Sequence, residues 1–176
     1  LTHSGERHTL VVPVPEPKLW WTWDRGEQHL ETCTVTVQVA GSGVDFLNSA
    51  IVHSTETTPT GMLKKSTETV ELNGSLRGRV LYHVTTVFDF VKGTLVNTGN
   101  QVFSGTIAGS EPAMIHDDQS HFDVNLGSGT ETGSVFLVDH IAGPKVRCAL
   151  EVVGTGVNSD GNPTFDYNGE CIFRGR

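Results

Sequence analysis

No stretch of this sequence is long and apolar enough to span a bilayer as a helix. No basic run exceeds Lys64–Lys65, and 12 Lys and Arg stand against 20 Asp and Glu, for a net charge of −8. That balance supplies no electrostatic footprint for nucleic acid or for an anionic membrane surface, so neither is expected as a partner. A helical period of useful length is missing, and the hydrophobic share is 36%, low for a globular chain. Cysteine is scarce. Cys33, Cys148 and Cys171 form no CxxC pair and show no His/Cys ligand spacing, which argues against a zinc site. One disulfide and three buried thiols remain as alternatives. GxSxG, HExxH, a P-loop and a helix-opening GxGxxG are all absent, which leaves hydrolase, metalloprotease and nucleotide-binding signatures without support. No metal and no cofactor is expected.

What is present is glycine, with 20 residues, and threonine in alternating runs. A chain of 176 residues suits one domain with a core of its own. Residues 1–25 read as an extended N-terminal arm. Val11-Val12-Pro13-Val14-Pro15-Glu16-Pro17 lacks ladder donors at three positions. Leu19-Trp20-Trp21-Thr22-Trp23 then holds all three tryptophans, a cluster too apolar to leave in water. Plugging a barrel end, packing on a second subunit in a homodimer, and lining a ligand pocket are the three uses for it. The chain begins at Leu1 rather than Met, so its native start is expected to have been removed or omitted. Asn73-Gly74-Ser75 is a formal glycosylation sequon. The compartment stays open, with a cytoplasmic location favoured over secretion.

Residues 26–176 read as a single all-β domain. Cys33, Val35, Val37 and Val39 alternate with Thr32, Thr34, Thr36 and Gln38, the period of a half-buried strand. Gly41-Ser42-Gly43 is expected to turn, Val44–His53 to form a second strand, and Ser54–Gly61 to be a loop. Lys65–Leu72 places Glu68, Val70 and Leu72 on one face. Asn73-Gly74 carries the signal of a type I′ hairpin. In Arg77–Phe90, Val80, Tyr82, Val84, Thr86 and Phe88 share one face. Asn97–Asn100 reads as a turn and Ser110–Asp118 as an irregular insert. Phe122, Val124 and Leu126 share a face after it, followed by a polar loop at Gly127–Gly133. In Ser134–Ala142, Phe136, Val138 and His140 share a face. Val146–Val153 and Thr164–Arg174 complete eight or nine strands. Regular short strands with glycine turns fit a barrel or a sandwich. Strands apolar on both faces favour an antiparallel barrel whose lumen holds a small molecule.

The second half resembles a known family. Phe103-Ser104-Gly105-Thr106, Gly127-Ser128-Gly129-Thr130-Glu131-Thr132-Gly133-Ser134, Val153-Gly154-Thr155-Gly156 and Tyr167-Asn168-Gly169-Glu170-Cys171 are similar to the allene oxide cyclase-like barrels. Dirigent proteins and small bacterial spirotetronate cyclases share that architecture. The resemblance covers roughly residues 76 to 174. It implies a cofactor-independent cyclase or isomerase that folds a hydrophobic natural-product intermediate inside the barrel. No catalytic motif of the family maps onto this chain, so no residue's role is carried over.

Candidate site residues come from the strand faces instead. Tyr82 and His140 are the candidate catalytic groups, to orient or polarise a carbonyl. Phe88, Phe122, Phe136 and Tyr167 would form the aromatic wall, with Trp21 and Trp23 capping the mouth. The His116-Asp117-Asp118 and His121 group has ligand-type residues but reads as a solvated loop. Asp139 and His140 are strand neighbours and point to opposite faces, so they cannot form a dyad. Two other readings accompany the enzyme: a non-catalytic, lipocalin-like binding barrel, and a structural β-sandwich.

Overall fold

The computed structural model describes residues 33–174. The N-terminal arm with Trp21 and Trp23, expected to cap the barrel, lies outside the described residues. Ten strands follow one another: β1 (Thr34–Asp45), β2 (Ile51–Thr58), β3 (Gly61–Gly74), β4 (Leu76–Asp89), β5 (Thr94–Ile107), β6 (Ala113–Asn125), β7 (Glu131–Leu137), β8 (Asp139–Ala142), β9 (Val146–Val157) and β10 (Pro163–Arg174). One 3-10 turn, Leu47–Ser49, is the sole helical element among the described residues. Neighbours pair antiparallel in the order β1-β10-β9-β7-β6-β5-β4-β3, and β3 pairs back onto β1. The ring closes as an eight-stranded antiparallel barrel, with β2 and β8 outside it on β3 and β6.

The closure explains why several glycines do not turn the chain. Gly41-Ser42-Gly43 lies within β1, where the strand still pairs with β10 on one side and also with β3 on the other, through Gly41↔Gly74 and Gly43↔Leu72. A Cβ on Gly41 would collide with the Tyr167 hydroxyl, and one on Gly43 with the Phe165 ring. The two glycines leave room for inward aromatic side chains at the seam. Asn73-Gly74 lies at the β3–β4 hairpin as expected and also joins this seam, but of the two only Gly74 has positive φ, 104°, so the turn is not type I′. Positive φ at two consecutive residues, as a type I′ turn needs, occurs instead at Ala108 and Gly109, at 49° and 77°.

Other expected loops are strands. Ser54–Gly61 contributes to β2, a fully exposed edge whose threonines pair along β3, and the expected strand over Val44–His53 is interrupted by the 3-10 turn. Asn97–Asn100 runs through β5, and most of Ser110–Asp118 belongs to β6. The ladder between these two slips between Gly99 and Gln101. Across that bulge the buried positions of β6 change from Ala113, Ile115 and Asp117 to Ser120. A bulge inserts one residue and so inverts the alternation, which is why this segment looked irregular. The expected strand Ser134–Ala142 breaks at Val138, and β8 keeps β6 as a partner without continuing along β9.

Leu76, Phe103, Ile107, Ile115 and Val146 are fully buried and fill one end of the barrel. Cys148 of β9 and Cys171 of β10 face each other in register at that end and form a disulfide. Cys33, expected on an apolar face, is exposed and unbonded.

Candidate active site in the barrel lumen

The remaining interior is a cavity of about 330 Å³, walled by side chains from all eight barrel strands. Its wall is mainly apolar, through residues such as Val70, Leu72, Val80, Leu95, Leu150 and Val152. Alternation along each strand puts every second side chain into the lumen. That rule also brings in a polar set from neighbouring strands: Asp45, Lys64, Glu68, Tyr82, Asn97, Gln101 and Glu131. Leu47, in the 3-10 turn, lies on the rim and is 39% exposed. The rim is braced by Asn48, whose Nδ2 donates to the Asp160 carbonyl at 2.9 Å.

Glu68 is 3% exposed. Its Oε1 accepts from the Ser66 hydroxyl at 2.6 Å and from Lys64 Nζ at 3.0 Å. Asp45, at the end of β1, lines the same cavity near enough to feel the charge of Glu68. Burial first, then the charges of Glu68 and Glu131 and the bond to Glu68, push the Asp45 carboxyl up to about 7, with Lys64 pulling the other way. A neighbouring negative charge and burial both disfavour ionisation, so the Asp45 carboxyl keeps its proton to near neutral pH. Burial also raises Glu131 above the ordinary carboxylate range.

Tyr82 is 5% exposed and pairs across the ladder with Glu68. Its ring meets Phe122 edge-on, with centroids 6.2 Å apart. Burial raises its phenol, and the negative charges of Glu68, Asp45 and Asp117 add to that rise. Ser120 lies near enough to oppose it, but the serine hydroxyl donates its proton to the Gly99 carbonyl at 3.0 Å. Among the described residues the Tyr82 hydroxyl has no partner with hydrogen-bond geometry, and the same holds for Asp45 Oδ1 and Asn97 Oδ1. All three residues line the one cavity. Buried polar atoms without partners cost about 1–3 kcal/mol each, and native interiors hold few of them.

Asp117 shows the contrasting arrangement. It is fully buried at the β6 bulge. Its Oδ2 accepts from Gln101 Nε2 at 2.8 Å and from the Phe136 amide at 3.0 Å, and its Oδ1 from the Gln119 amide at 2.7 Å. Three donors stabilise this carboxylate in place, and it holds the bulge.

The structure brings together Tyr82, Phe88, Phe122 and Tyr167 as expected from their strand faces; all four line the cavity. Tyr167 is occupied, however. Its hydroxyl accepts from the Leu76 amide at 2.8 Å and donates to the Asn73 carbonyl at 3.0 Å. Two expectations change. In β7 the buried, cavity-lining residues are Val135 and Leu137, so Phe136 turns to the outer face. His140 is exposed on β8 outside the ring, where Nε2 contacts the Gly143 carbonyl at 2.9 Å. The break at Val138 separates its strand from the lumen. On the outer surface, Asp139 pairs with His116 at 3.4 Å and His121 with Asp123 at 3.1 Å.

Asp45, Lys64, Glu68 and Glu131 escaped the sequence reading as site residues. Glu68 left a signal, since it alternates in phase with Val70 and Leu72. Asp45 fell in an irregular stretch after a glycine triplet, and Glu131 in an apparent loop. Compared with family models, curated proteins and solved structures, the chain has no match.

Proposed function

We propose that the protein is an isomerase or cyclase that transfers a proton within an apolar small molecule held in the barrel. The resemblance to allene oxide cyclase-like barrels belongs to this proposal, with the proton-handling groups drawn from this chain's own lumen. One observation carries it: two carboxyls, Asp45 and Glu68, line one mainly apolar cavity together with the unpartnered hydroxyl of Tyr82. A carboxyl that titrates at about 7, as Asp45 does, can accept a proton from one carbon and return it to another. Tyr82 would donate to a substrate oxygen where negative charge develops. The apolar wall would hold a flexible molecule in a reactive shape, which lowers the barrier by positioning alone. The Cys148–Cys171 bridge favours an oxidising compartment over the cytoplasmic location read from the sequence.

The test is turnover of a panel of β,γ-unsaturated ketones to their conjugated isomers, followed by ultraviolet absorbance. Proton transfer by the pair predicts turnover that falls about 10²- to 10⁴-fold in Asp45→Asn and in Glu68→Gln, and less in Tyr82→Phe. Equal rates in wild type and both acid variants would remove the pair from the mechanism. Binding of the panel without conversion would favour a carrier.

A further inference from the structure

The polar part of the lumen is lopsided. Three carboxyl side chains, Asp45, Glu68 and Glu131, line the cavity with one cation, Lys64, which is bound to Glu68 at 3.0 Å. No second Lys or Arg lines the cavity. The three unpartnered buried atoms, Asp45 Oδ1, Tyr82 OH and Asn97 Oδ1, are all oxygens. Two of them, Asp45 Oδ1 and Asn97 Oδ1, are acceptors without donors, and in a wall with surplus carboxyls they suit a group that brings N–H donors and positive charge. An alkylammonium carries three N–H donors and no acceptor, a hydroxyl carries one donor, and a carboxylate carries none. Tyr82, 5% exposed and lining this cavity, is an unpartnered group within the acidic cluster rather than on its solvated face.

We infer that the lumen takes an apolar amine, with its ammonium on the Asp45–Glu68 pair and its hydrocarbon body against the aliphatic wall. This rests on the reading that the lumen admits a small molecule, and it names the class. The cavity volume, about 330 Å³, lies at the small end for ligand sites and calls for a compact body. An ammonium beside Asp45 favours its ionised form, so the Asp45 proton leaves as the amine arrives, and the bound amine occupies the acid that isomerisation would use rather than serving as its substrate. The ionisable groups lining the cavity around that position are Lys64 and Glu68 from β3, Tyr82 from β4 and Glu131 from β7. Of these only Lys64 opposes a second cation.

Calorimetric titration of the full chain with octylamine, octan-1-ol and octanoate tests this. Charge-assisted hydrogen bonds predict octylamine binding about 10- to 100-fold tighter than octanoate, with octan-1-ol between them. Repeating the octylamine titration at pH 6.5 in buffers of different ionisation enthalpy should show about one proton released per amine bound, and none for octan-1-ol. This readout separates lumen binding from loose attraction to the acidic surface and needs no variant. In Asp45→Asn/Glu68→Gln the preference should vanish while octan-1-ol binding persists. Octanoate binding as tightly as octylamine, or octylamine binding without proton release, overturns the inference and leaves the isomerase reading standing. Failure of all three molecules to bind overturns the inference, while turnover of the ketone panel decides the isomerase reading separately.

Discussion

The two ends of the barrel are made from the same strands and differ only in what those strands turn inward. At one end Leu76, Phe103, Ile107, Ile115 and Val146 are fully buried, and the Cys148–Cys171 bridge joins β9 to β10. At the other, β3 and β1 turn Lys64, Glu68 and Asp45 into a cavity. The two tyrosines make the same contrast in miniature. Tyr167 saturates its hydroxyl on the Asn73 and Leu76 backbone and clamps the seam where β1 closes the ring. Tyr82 is equally buried and has no partner. Stability is concentrated where inward groups are satisfied, and binding capacity where they are not.

That contrast can be broken from either side. Phe103→Ala, at the closed end, should cost about 3–5 kcal/mol, read by denaturant unfolding; a cost under ~1 kcal/mol would mean that this end is not the packed one. Replacing Cys148 and Cys171 by Ala opens a loop with a sequence separation of 23 and should cost about 3 kcal/mol by the same measurement. Tyr167→Phe should cost about 1–3 kcal/mol, because it leaves the buried Leu76 amide unpaired. Tyr82→Phe, which removes a hydroxyl with no partner, should stay within about 1 kcal/mol of wild type or stabilise. Equal losses in the two tyrosine variants would erase the distinction between them.

The acidic end also carries a pH dependence. The Asp45 carboxyl in the folded protein titrates at about 7, above its ordinary value of 3.8. Its favourable contribution is therefore complete below about pH 4 and is lost as pH rises toward 7. Glu131, also raised, acts in the same direction. Tm should fall between pH 5 and pH 8, and Asp45→Asn should remove on the order of 1–2 kcal/mol of that fall. A Tm profile identical to wild type in Asp45→Asn would show that Asp45 ionises freely.

Much of the fold was legible because strand alternation survives wherever a strand runs straight. Val80, Tyr82, Val84 and Thr86 fell on one face in the sequence and are buried together in the barrel. The site was legible in part for the same reason: Tyr82, Phe88, Phe122 and Tyr167 reach the cavity from regular strands. His140 and Phe136 were misplaced because a break at Val138 and the opposite face of β7 are not written in local alternation. Asp45 stayed hidden because its strand passes through Gly41-Ser42-Gly43, whose composition imitates a turn.

Composition, turn chemistry and the two-residue period by themselves determined an all-β antiparallel chain of a length that closes into a barrel, since these are properties of neighbouring residues. The meeting of Asp45 with Glu68, the satisfaction of Tyr167 and the isolation of Tyr82 were decided only by the tertiary structure. Each depends on the register in which β1 closes against β3 and β10, and a register shifted by one residue would turn those side chains to the opposite face.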